Sequence, residues 1–414
     1  MKTGSEGARA VTSALLIAAG MALAAPAWAD DPLWVQQFGT LRDDQAEAVA
    51  TDRFGHVYVA GATEGDLSGA NQGEIDAFVA KFDAEGRPEW QRQRGAEGTD
   101  IARAIATDAS GNVYAAGSSS LNGGKSAWLV KYGADGDEVW AQQMSTWHSV
   151  VEARGVAVDR NGDIYVAGET QGALGGTKKG GILDAWVIKF DAAGHRLWSH
   201  QPGTSGDDAA AGIATDADGN VYVVGSTSGA LGGPNKGDYD AWVVKFDADG
   251  HWLWKRQPGT TGRDFASSVA VDASGNVYVF GGTEGALGGA KRGGQSDFDT
   301  WLAKFDAGGR WQWKRQFGTP NFDTPSGVAV DADGTVAIVG YSHQRNGNDQ
   351  AWLARFSTDG LRLSKSVPAI GEIDWATGMA VDAGGSAYVA GLTWSISNPG
   401  GQDAFVTRYA PATQ

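Results

Sequence analysis

One sequence unit recurs seven times along the chain, and this repeat constrains the fold more than any other feature. A tryptophan near the end of each unit marks the repeat, with a serine in the seventh place. These anchor positions are Trp34, Trp90, Trp140, Trp198, Trp254, Trp313 and Ser364. They are separated by 56, 50, 58, 56, 59 and 51 residues. A period in this range is typical of solenoids, propellers and repeat arrays.

Each unit predicts four short strands, which we name a to d. Strand a ends in an aspartate that is followed three residues later by a glycine, as in Asp216 and Gly219, and this pattern suits a hairpin turn with one positive-φ position. Strand b is of the Asn-Val-Tyr-Val type and strand c of the Ala-Trp-Val-Val-Lys-Phe type. Both are almost continuously apolar, which indicates strands that are covered on both faces of a sheet.

The two ends of the chain favour a closed ring over an open solenoid. The last unit stops after strand c, whereas residues 32–40 form a strand d that belongs to no preceding unit. Pairing these two segments removes the open ends that a solenoid has to cap. The sequence therefore predicts an all-β fold, a seven-bladed β-propeller of four-stranded antiparallel blades. The N-terminal strand, residues 32–40, would complete the last blade.

The first 29 residues have the features of a signal peptide. Lys2 and Arg9 precede an apolar run over residues 11–24, and small residues surround an expected cleavage site after Ala29. We therefore expect an exported protein, periplasmic, extracellular or on the cell surface, with residues 30–414 as one propeller domain. No later segment has 18 consecutive apolar residues, so the sequence does not predict membrane insertion.

The repeated motifs resemble the SBBP β-propeller repeat family of exported and cell-surface proteins of bacteria and archaea, including surface-layer-like proteins. The resemblance rests on Asp-x-x-Gly-Asn-Val-Tyr-Val-x-Gly followed by a glycine-rich loop and Asp-Ala-Trp/Phe-Val-x-Lys-Phe. It covers essentially all of residues 30–414 and implies the propeller fold, but it implies no defined catalytic set. Departures from the pattern are Ala337 in place of the strand b tyrosine, Ser364 in place of the anchor tryptophan, and Val151 in place of an aspartate.

The charge balance restricts the partners. With 33 basic and 49 acidic side chains the formal net charge is −16, which argues against nucleic acid or an anionic membrane as the main partner. The chain has no cysteine, so disulfides do not contribute to its stability. We expect a monomer.

Two recurring sets of side chains are interpreted as structural. Strand c has a basic residue in every unit, which we pair with the strand a aspartate of the same unit, for example Lys245 with Asp216. These basic residues are Lys81, Lys131, Lys189, Lys245, Lys304, Arg355 and Arg408. The tryptophans of strands c and d are assigned to packing between blades.

A second set of aspartates precedes strand a in six units, and it has two interpretations. These aspartates are Asp44, Asp100, Asp208, Asp264, Asp323 and Asp374. In the first interpretation they form a ring at the channel mouth that holds a cation such as calcium. In the second, each carboxylate accepts N–H bonds within its own loop, as aspartates do in turns. No other cofactor is predicted.

The long d-to-a and b-to-c loops lie on one face of a propeller, and we place the candidate ligand-binding residues there. Aromatic candidates are Trp147, His148, Trp375 and Trp394, and basic candidates are Lys178, Lys179, Lys236, Lys291 and Arg292. Aromatic rings offer platforms for sugars or for protein contacts, and basic loop tips can hold an acidic polymer. The alternative is that these residues pack or solvate their own loops.

Three functions remain open at this point. We expect a non-catalytic module that binds a cell-envelope glycan, an envelope polymer or a surface protein through its loop face. A metal-dependent hydrolase or lyase that uses the six aspartates is the enzymatic alternative, and a purely structural surface component is the third. The chain contains no His-Glu-x-x-His, Gly-x-Ser-x-Gly or phosphate-loop motif, which favours binding over catalysis.

Overall fold

The computed structural model describes residues 31–412, except residues 122, 147–148, 295, 345–346, 368–369, 372 and 395–400. The predicted signal peptide, residues 1–29, lies outside the described residues. Trp147 and His148 do so as well. Over the described part of the chain, no helix has the length and apolar character needed to cross a membrane.

The described residues form 28 strands in seven four-stranded sheets, as the repeat predicts. Blade 1 consists of β2 (Asp44–Thr51), β3 (Val57–Thr63), β4 (Asp76–Phe82) and β5 (Pro88–Arg94), and blade 2 of β6 (Thr99–Thr107), β7 (Val113–Leu121), β8 (Gly124–Tyr132) and β9 (Glu138–Met144). Blade 3 consists of β10 (Val151–Val158), β11 (Ile164–Thr170), β12 (Asp184–Phe190) and β13 (Arg196–His200), and blade 4 of β14 (Asp208–Thr215), β15 (Val221–Thr227), β16 (Asp240–Phe246) and β17 (Trp252–Arg256). All neighbouring strands in these sheets are antiparallel.

The remaining three blades complete the ring. Blade 5 consists of β18 (Asp264–Val271), β19 (Val277–Thr283), β20 (Asp299–Phe305) and β21 (Trp311–Phe317), and blade 6 of β22 (Asp323–Val330), β23 (Val336–Ser342), β24 (Gln350–Phe356) and β25 (Arg362–Ser366). Blade 7 consists of β26 (Ile373–Val381), β27 (Ala387–Trp394), β28 (Gln402–Tyr409) and β1 (Trp34–Phe38). The first strand of each blade contacts its counterparts in the two neighbouring blades, so the a strands form the inner ring. Strands b and c are buried, and the core consists of clusters between successive blades.

The N-terminal strand closes the ring, which confirms the prediction. β1 pairs antiparallel with β28, with Trp34 opposite Arg408 and Phe38 opposite Ala404. The Trp34 indole N–H and the Arg408 guanidinium both donate to the carbonyl of Ala84 in blade 1, at 3.1 Å and 3.0 Å. The last blade is therefore completed by the first strand and tied to the first blade.

The a-to-b turn has the same hydrogen bonds in each blade. In blade 4, Asp216 Oδ1 accepts the backbone N–H groups of Asp218 and Asn220, and Gly219 has φ of +79°. The other oxygen, Oδ2, accepts the hydroxyl of Tyr222 at 2.8 Å. Equivalent tyrosine-to-aspartate bonds are made by Tyr58, Tyr114, Tyr165, Tyr278 and Tyr388. The aspartate thus joins the turn to strand b.

The strand c cations have different partners from the predicted ones in most blades. Lys245 and Arg408 do lie near the aspartates of their own units, Asp216 and Asp382, at 3.4 Å and 3.6 Å. In six blades the cation lies over the strand b tyrosine ring, and in five it donates to a carbonyl in the c-to-d turn of the next blade. The anchor tryptophan donates its indole N–H to the same turn. In these five blades the cation therefore connects its own blade to the next one.

Candidate functional site

The residue that follows the aspartate near the start of strand a (Val151 in blade 3), here called the second position, varies while the surrounding positions repeat, and it lies next to the bulge of the strand. In blade 4 the register between β14 and β15 shifts at Ala210/Gly212, and a Cβ on Gly225 would lie only 1.8 Å from the Ala209 carbonyl oxygen. The same shift occurs in all seven blades. A bulge redirects the neighbouring side chains. The residues at this second position are Gln45, Ile101, Glu152, Ala209, Phe265, Thr324 and Trp375.

In blades 5 to 7 aromatic side chains gather at this end of the a strands. Seven ring side chains follow one another with centroid separations of 5.2–5.6 Å, and we call them the aromatic arc. In order they are Phe265, Phe298, Phe322, His343, Tyr341, Trp375 and Trp394. All except the buried Phe298 are partly exposed. The arc crosses three blades on the face of the d-to-a and b-to-c loops.

One buried carboxylate orients two members of the aromatic arc. Asp349 Oδ2 accepts the indole N–H of Trp375 at 2.9 Å, and it lies 2.9 Å from Nδ1 of His343. Tyr341 stacks on Trp375 with an interplanar angle of 14°. Trp375 and Trp394, two of the predicted ligand-binding residues, contact each other edge to face at 5.3 Å. The aromatic arc is therefore held in place by hydrogen bonds as well as by packing.

Blades 1 to 3 place charged side chains on the opposite half of the inner ring. Arg154 lies 2.7 Å from Glu152 and 2.8 Å from Glu169, and Lys125 donates to Glu152 at 2.5 Å. Arg103 lies 3.8 Å from Glu47 on the neighbouring a strand. We call these six residues, Glu47, Arg103, Lys125, Glu152, Arg154 and Glu169, the charged cluster. Blade 4, which has Ala209 and Ala211 in its strand a, separates the two halves on one side.

Burial and pairing act in opposite directions on the carboxylates of the charged cluster. Burial raises the pKa of Glu47, against the opposing influence of Arg103 and Arg154. Burial also acts to raise the pKa of Glu152, but the Lys125 hydrogen bond and the Arg154 charge outweigh it and lower that pKa. A buried Nε of Arg103 has no hydrogen-bond partner among the described residues. The cluster therefore has unused hydrogen-bonding capacity at the inner ring.

The six aspartates that precede strand a are buried within their own loops. Asp208 Oδ2 accepts the backbone N–H and the hydroxyl of Thr204 at 2.6 Å and 3.0 Å, and Oδ1 accepts the Thr227 hydroxyl. Asp44, Asp264 and Asp323 bind the corresponding threonine in the same way, while Asp100 and Asp374 accept backbone N–H groups. Burial raises the pKa of Asp44, Asp208, Asp264 and Asp323. This is the geometry of the loop-acceptor interpretation and not of an open carboxylate ring.

The predicted basic loop residues divide into two groups. The ammonium of Lys178 donates to the carbonyls of Gly180 and Ile182, and that of Lys291 donates to those of Glu284 and Asp297. These two lysines close their own loops. Lys179, Lys236 and Arg292 are exposed, with their backbone N–H groups bonded to the first aspartate of strand c. Leu231 and Leu287 of the same loops are buried against the blades.

The structure mainly adds residues to the predicted ligand-binding site. Trp147 and His148 lie outside the described residues. Five members of the aromatic arc were missed by the sequence analysis, namely Phe265, Phe298, Phe322, Tyr341 and His343. The variable second position of strand a was the signal that would have indicated Phe265 together with Trp375, because it changes from blade to blade in an otherwise regular repeat.

Known proteins resemble the chain in both sequence and fold. The regulatory protein FlaEY of Caulobacter vibrioides is 28% identical over 263 residues, 58% of this chain and 26% of that protein. An uncharacterized WD repeat-containing protein of Acanthamoeba polyphaga mimivirus is 26% identical over 182 residues, 38% of this chain and 13% of that protein. The chain thus spans about a quarter or less of the length of these relatives.

Two solved structures have a similar fold. Chaetomium thermophilum Sqt1, bound to the N-terminus of a ribosomal protein, matches with a TM-score of 0.51 and 11% identity over 92% of this chain and 100% of that one. The β-propeller domain of the Trilobed protease from Pyrococcus furiosus matches with a TM-score of 0.51 and 9% identity over 90% of this chain and 96% of that one. At these identities the likeness concerns the fold alone.

A family model identifies the repeat itself. The model of the SBBP β-propeller repeat matches residues 33–68, 89–124, 139–176, 197–239 and 253–288, which correspond to five successive repeats. The remaining blades have the same strand order and the same turns. The chain therefore belongs to the SBBP β-propeller repeat family.

Proposed function

We propose that this propeller is a binding module that holds a segment of another protein across the mouth between the aromatic arc and the charged cluster. The observation that supports it most is the continuous run of seven ring side chains, most of them partly exposed, at one end of the inner ring. Aromatic and arginine side chains are enriched at the energetic centres of protein interfaces. The signal-peptide pattern of residues 1–29 supports export, and the partner of an exported protein would lie at the cell envelope or outside the cell.

A protein segment fits the two unlike halves of the mouth. Apolar side chains of the segment would lie on Phe265, Tyr341 and Trp375, and its charged side chains would face Arg103 and Arg154. Sqt1, which has a similar fold, is bound to the N-terminus of a ribosomal protein, so a chain end is a reasonable first ligand to test. The six buried aspartates are engaged in their own loops, so we do not propose a hydrolase or lyase that uses them.

A cell-envelope glycan is the second candidate ligand, and the contact between Trp375 and Trp394 favours it. Two large rings at 5.3 Å, both partly exposed, form a surface on which a sugar ring can stack. The exposed Lys179, Lys236 and Arg292 on the same face would assist an acidic polymer. If the protein is purely structural, substitution of these residues should not change the binding of a protein segment or of a glycan.

Selection of peptides from a random phage-displayed library tests the proposed function. Peptides selected on the wild-type protein should bind the Trp375→Ala and Tyr341→Ala variants at least about tenfold more weakly, because loss of a central aromatic contact at a hot spot costs about 2 kcal/mol or more. Trp311→Ala is the matched control, since Trp311 lies on an outer strand, is 43% exposed and is remote from the mouth. Binding of selected peptides that is equal on wild type and Trp375→Ala would contradict the proposal.

A glycan array with the same four proteins distinguishes the second candidate. Envelope glycans that bind wild type and Trp311→Ala, but not Trp375→Ala, would assign the mouth to a glycan in place of a protein. We expect no such glycan if a protein segment is the ligand.

A further inference from the structure

A second concave site lies between the outer strands of blades 5 and 6. Its volume is about 540 Å³, within the range of small-molecule sites. The rings of Phe317, Trp352 and Phe356 line it, and Arg362 and Lys365 lie at its rim. No sequence motif indicates this cleft, and the proposed function does not involve it.

The cleft adjoins the start of strand d in blade 6, a position at which blades 4 and 5 have a tryptophan. The first residue of strand d is Trp252 in blade 4 and Trp311 in blade 5, and each lies opposite the last phenylalanine of strand c. The ring centroids of these two pairs are 4.4 Å and 4.3 Å apart. In blade 6 the residue opposite Phe356 is Arg362. Phe317 covers one side of the Phe356 ring at 5.4 Å, and the cavity lies beside them.

The lysine of strand d changes its partner for the same reason. Lys255 lies 4.0 Å above the ring of Trp252 and Lys314 lies 5.6 Å above that of Trp311. With no tryptophan at the start of its strand, Lys365 lies over Trp352 at 5.9 Å instead. Neither Arg362 nor Lys365 has an acidic partner within ion-pair distance in the described part of the chain.

The electrostatics of the cleft favour an anion. Burial and the like charge of Arg362 lower the pKa of Lys365, against the opposing influence of the buried Asp323. A bound carboxylate would lie near both cations and would relieve their repulsion. Carboxylates form their strongest hydrogen bonds with arginine and lysine. The overall charge of −16 repels anions elsewhere, so these two cations make the cleft a locally favourable place for one.

We infer that the cleft between blades 5 and 6 binds an aromatic carboxylate, with its ring against Phe317, Trp352 and Phe356 and its carboxylate between Arg362 and Lys365. The ligand ring takes the place that a tryptophan side chain holds in blades 4 and 5. A free aromatic acid and the C-terminal aromatic residue of a peptide share this chemistry.

Calorimetric titration with indole-3-propionate and with the peptide Gly-Gly-Trp tests the inference. Saturable binding with one site per chain is expected for at least one of these probes, and the tighter of the two identifies the source of the carboxylate. The neutral amides of the same compounds should bind at least about tenfold more weakly, since they lose the charge-assisted hydrogen bonds. Absence of saturable binding by both acids, or equal binding of acids and amides, would overturn the inference.

Two variants locate the site. Arg362→Trp restores the residue of blades 4 and 5, so it should abolish binding while the melting temperature stays unchanged or rises. Lys365→Met should weaken binding at least about tenfold through loss of one cation, and Lys255→Met, the equivalent change in blade 4, should have no effect. Wild-type affinity in both Arg362→Trp and Lys365→Met would overturn the assignment to this cleft. If Arg362→Trp does not fold, the affinity of Lys365→Met alone tests the assignment to this cleft.

Discussion

At the scale of single residues, the aspartate that follows strand a links the a-to-b turn to strand b. Asp216 accepts two backbone N–H groups, the Asn220 amide and the Tyr222 hydroxyl. Its side chain is only 7% exposed. Burial acts to raise the pKa of Asp216, but these hydrogen bonds and the Lys245 charge outweigh it and lower that pKa. The charged form is therefore the one that the fold stabilises.

Asp216→Asn should lower the free energy of unfolding by about 2 kcal/mol at pH 7, because hydrogen bonds to a buried charged group are lost. Since the folded-state pKa lies below the unfolded value of about 3.9, this contribution is present above that pH and is lost as the pH falls through the folded pKa. The difference between wild type and variant should therefore shrink on acidification. Urea unfolding from pH 7 to pH 3 measures it, with the exposed Asp218→Asn as the control; a difference that stays constant with pH contradicts the assignment.

At the scale of elements, a glutamine at the end of strand d holds the long b-to-c loop against its blade. Gln257 Oε1 accepts the backbone N–H groups of Leu231 and Gly232, and Nε2 donates to the Gly229 carbonyl and to Asp240, all at 2.9–3.0 Å. Gln93, Gln201 and Gln316 make the equivalent contacts in their blades. These glycine-rich loops are consequently ordered by side-chain hydrogen bonds, and their tips project from a fixed base.

Gln257→Ala should increase hydrogen exchange of the loop over residues 228–239 and lower the free energy of unfolding by about 2 kcal/mol, because a buried carboxylate and two loop N–H groups lose their partner. Exchange measured by mass spectrometry resolves the loop from the rest of blade 4. Lys236→Ala, an exposed change at the tip of the same loop, should leave both quantities unchanged. Equal exchange in Gln257→Ala and wild type would show that the backbone alone fixes the loop.

At the scale of the whole molecule, ring closure depends on a strand that is more than 360 residues from its partner in sequence, since β1 pairs with β28. Without β1 the last blade would end at β28 and expose an unpaired edge, which is a template for association with other chains. The Trp34 and Arg408 bonds to Ala84 would also be reduced to one.

Deletion of residues 31–40 should lower the melting temperature by about 10 °C or more, since each 1 kcal/mol shifts it by a few degrees in a chain of this size. The truncated protein should also associate in a concentration-dependent way. A synthetic peptide of residues 31–40 added in excess should restore the melting temperature, and the same peptide with Trp34→Ala should restore it less. A melting curve unaffected by the deletion would contradict a stabilising role of closure.

The sequence by itself determined the architecture, because the signals for it are local and occur seven times. The aspartate and glycine of each turn, the apolar strands b and c and the anchor tryptophans predicted the strand order, and residues 32–40 predicted the closure. It also indicated Trp375 and Trp394 as residues of the loop face. Because the pattern occurs seven times, single departures from it such as Ala337 did not obscure it.

The tertiary structure alone decided which side chains meet. The members of the aromatic arc come from positions 265 to 394, and they become neighbours only because three blades converge on the inner ring. In five blades the strand c cation donates to a carbonyl of the next blade, and no pattern within one repeat could show that contact. The cleft beside Phe356 combines side chains from blades 5 and 6, with Arg362 at the position that Trp252 and Trp311 hold in blades 4 and 5. Local sequence patterns specify the blade. Contacts between blades depend on long-range packing, which cannot be predicted from the sequence of a single repeat.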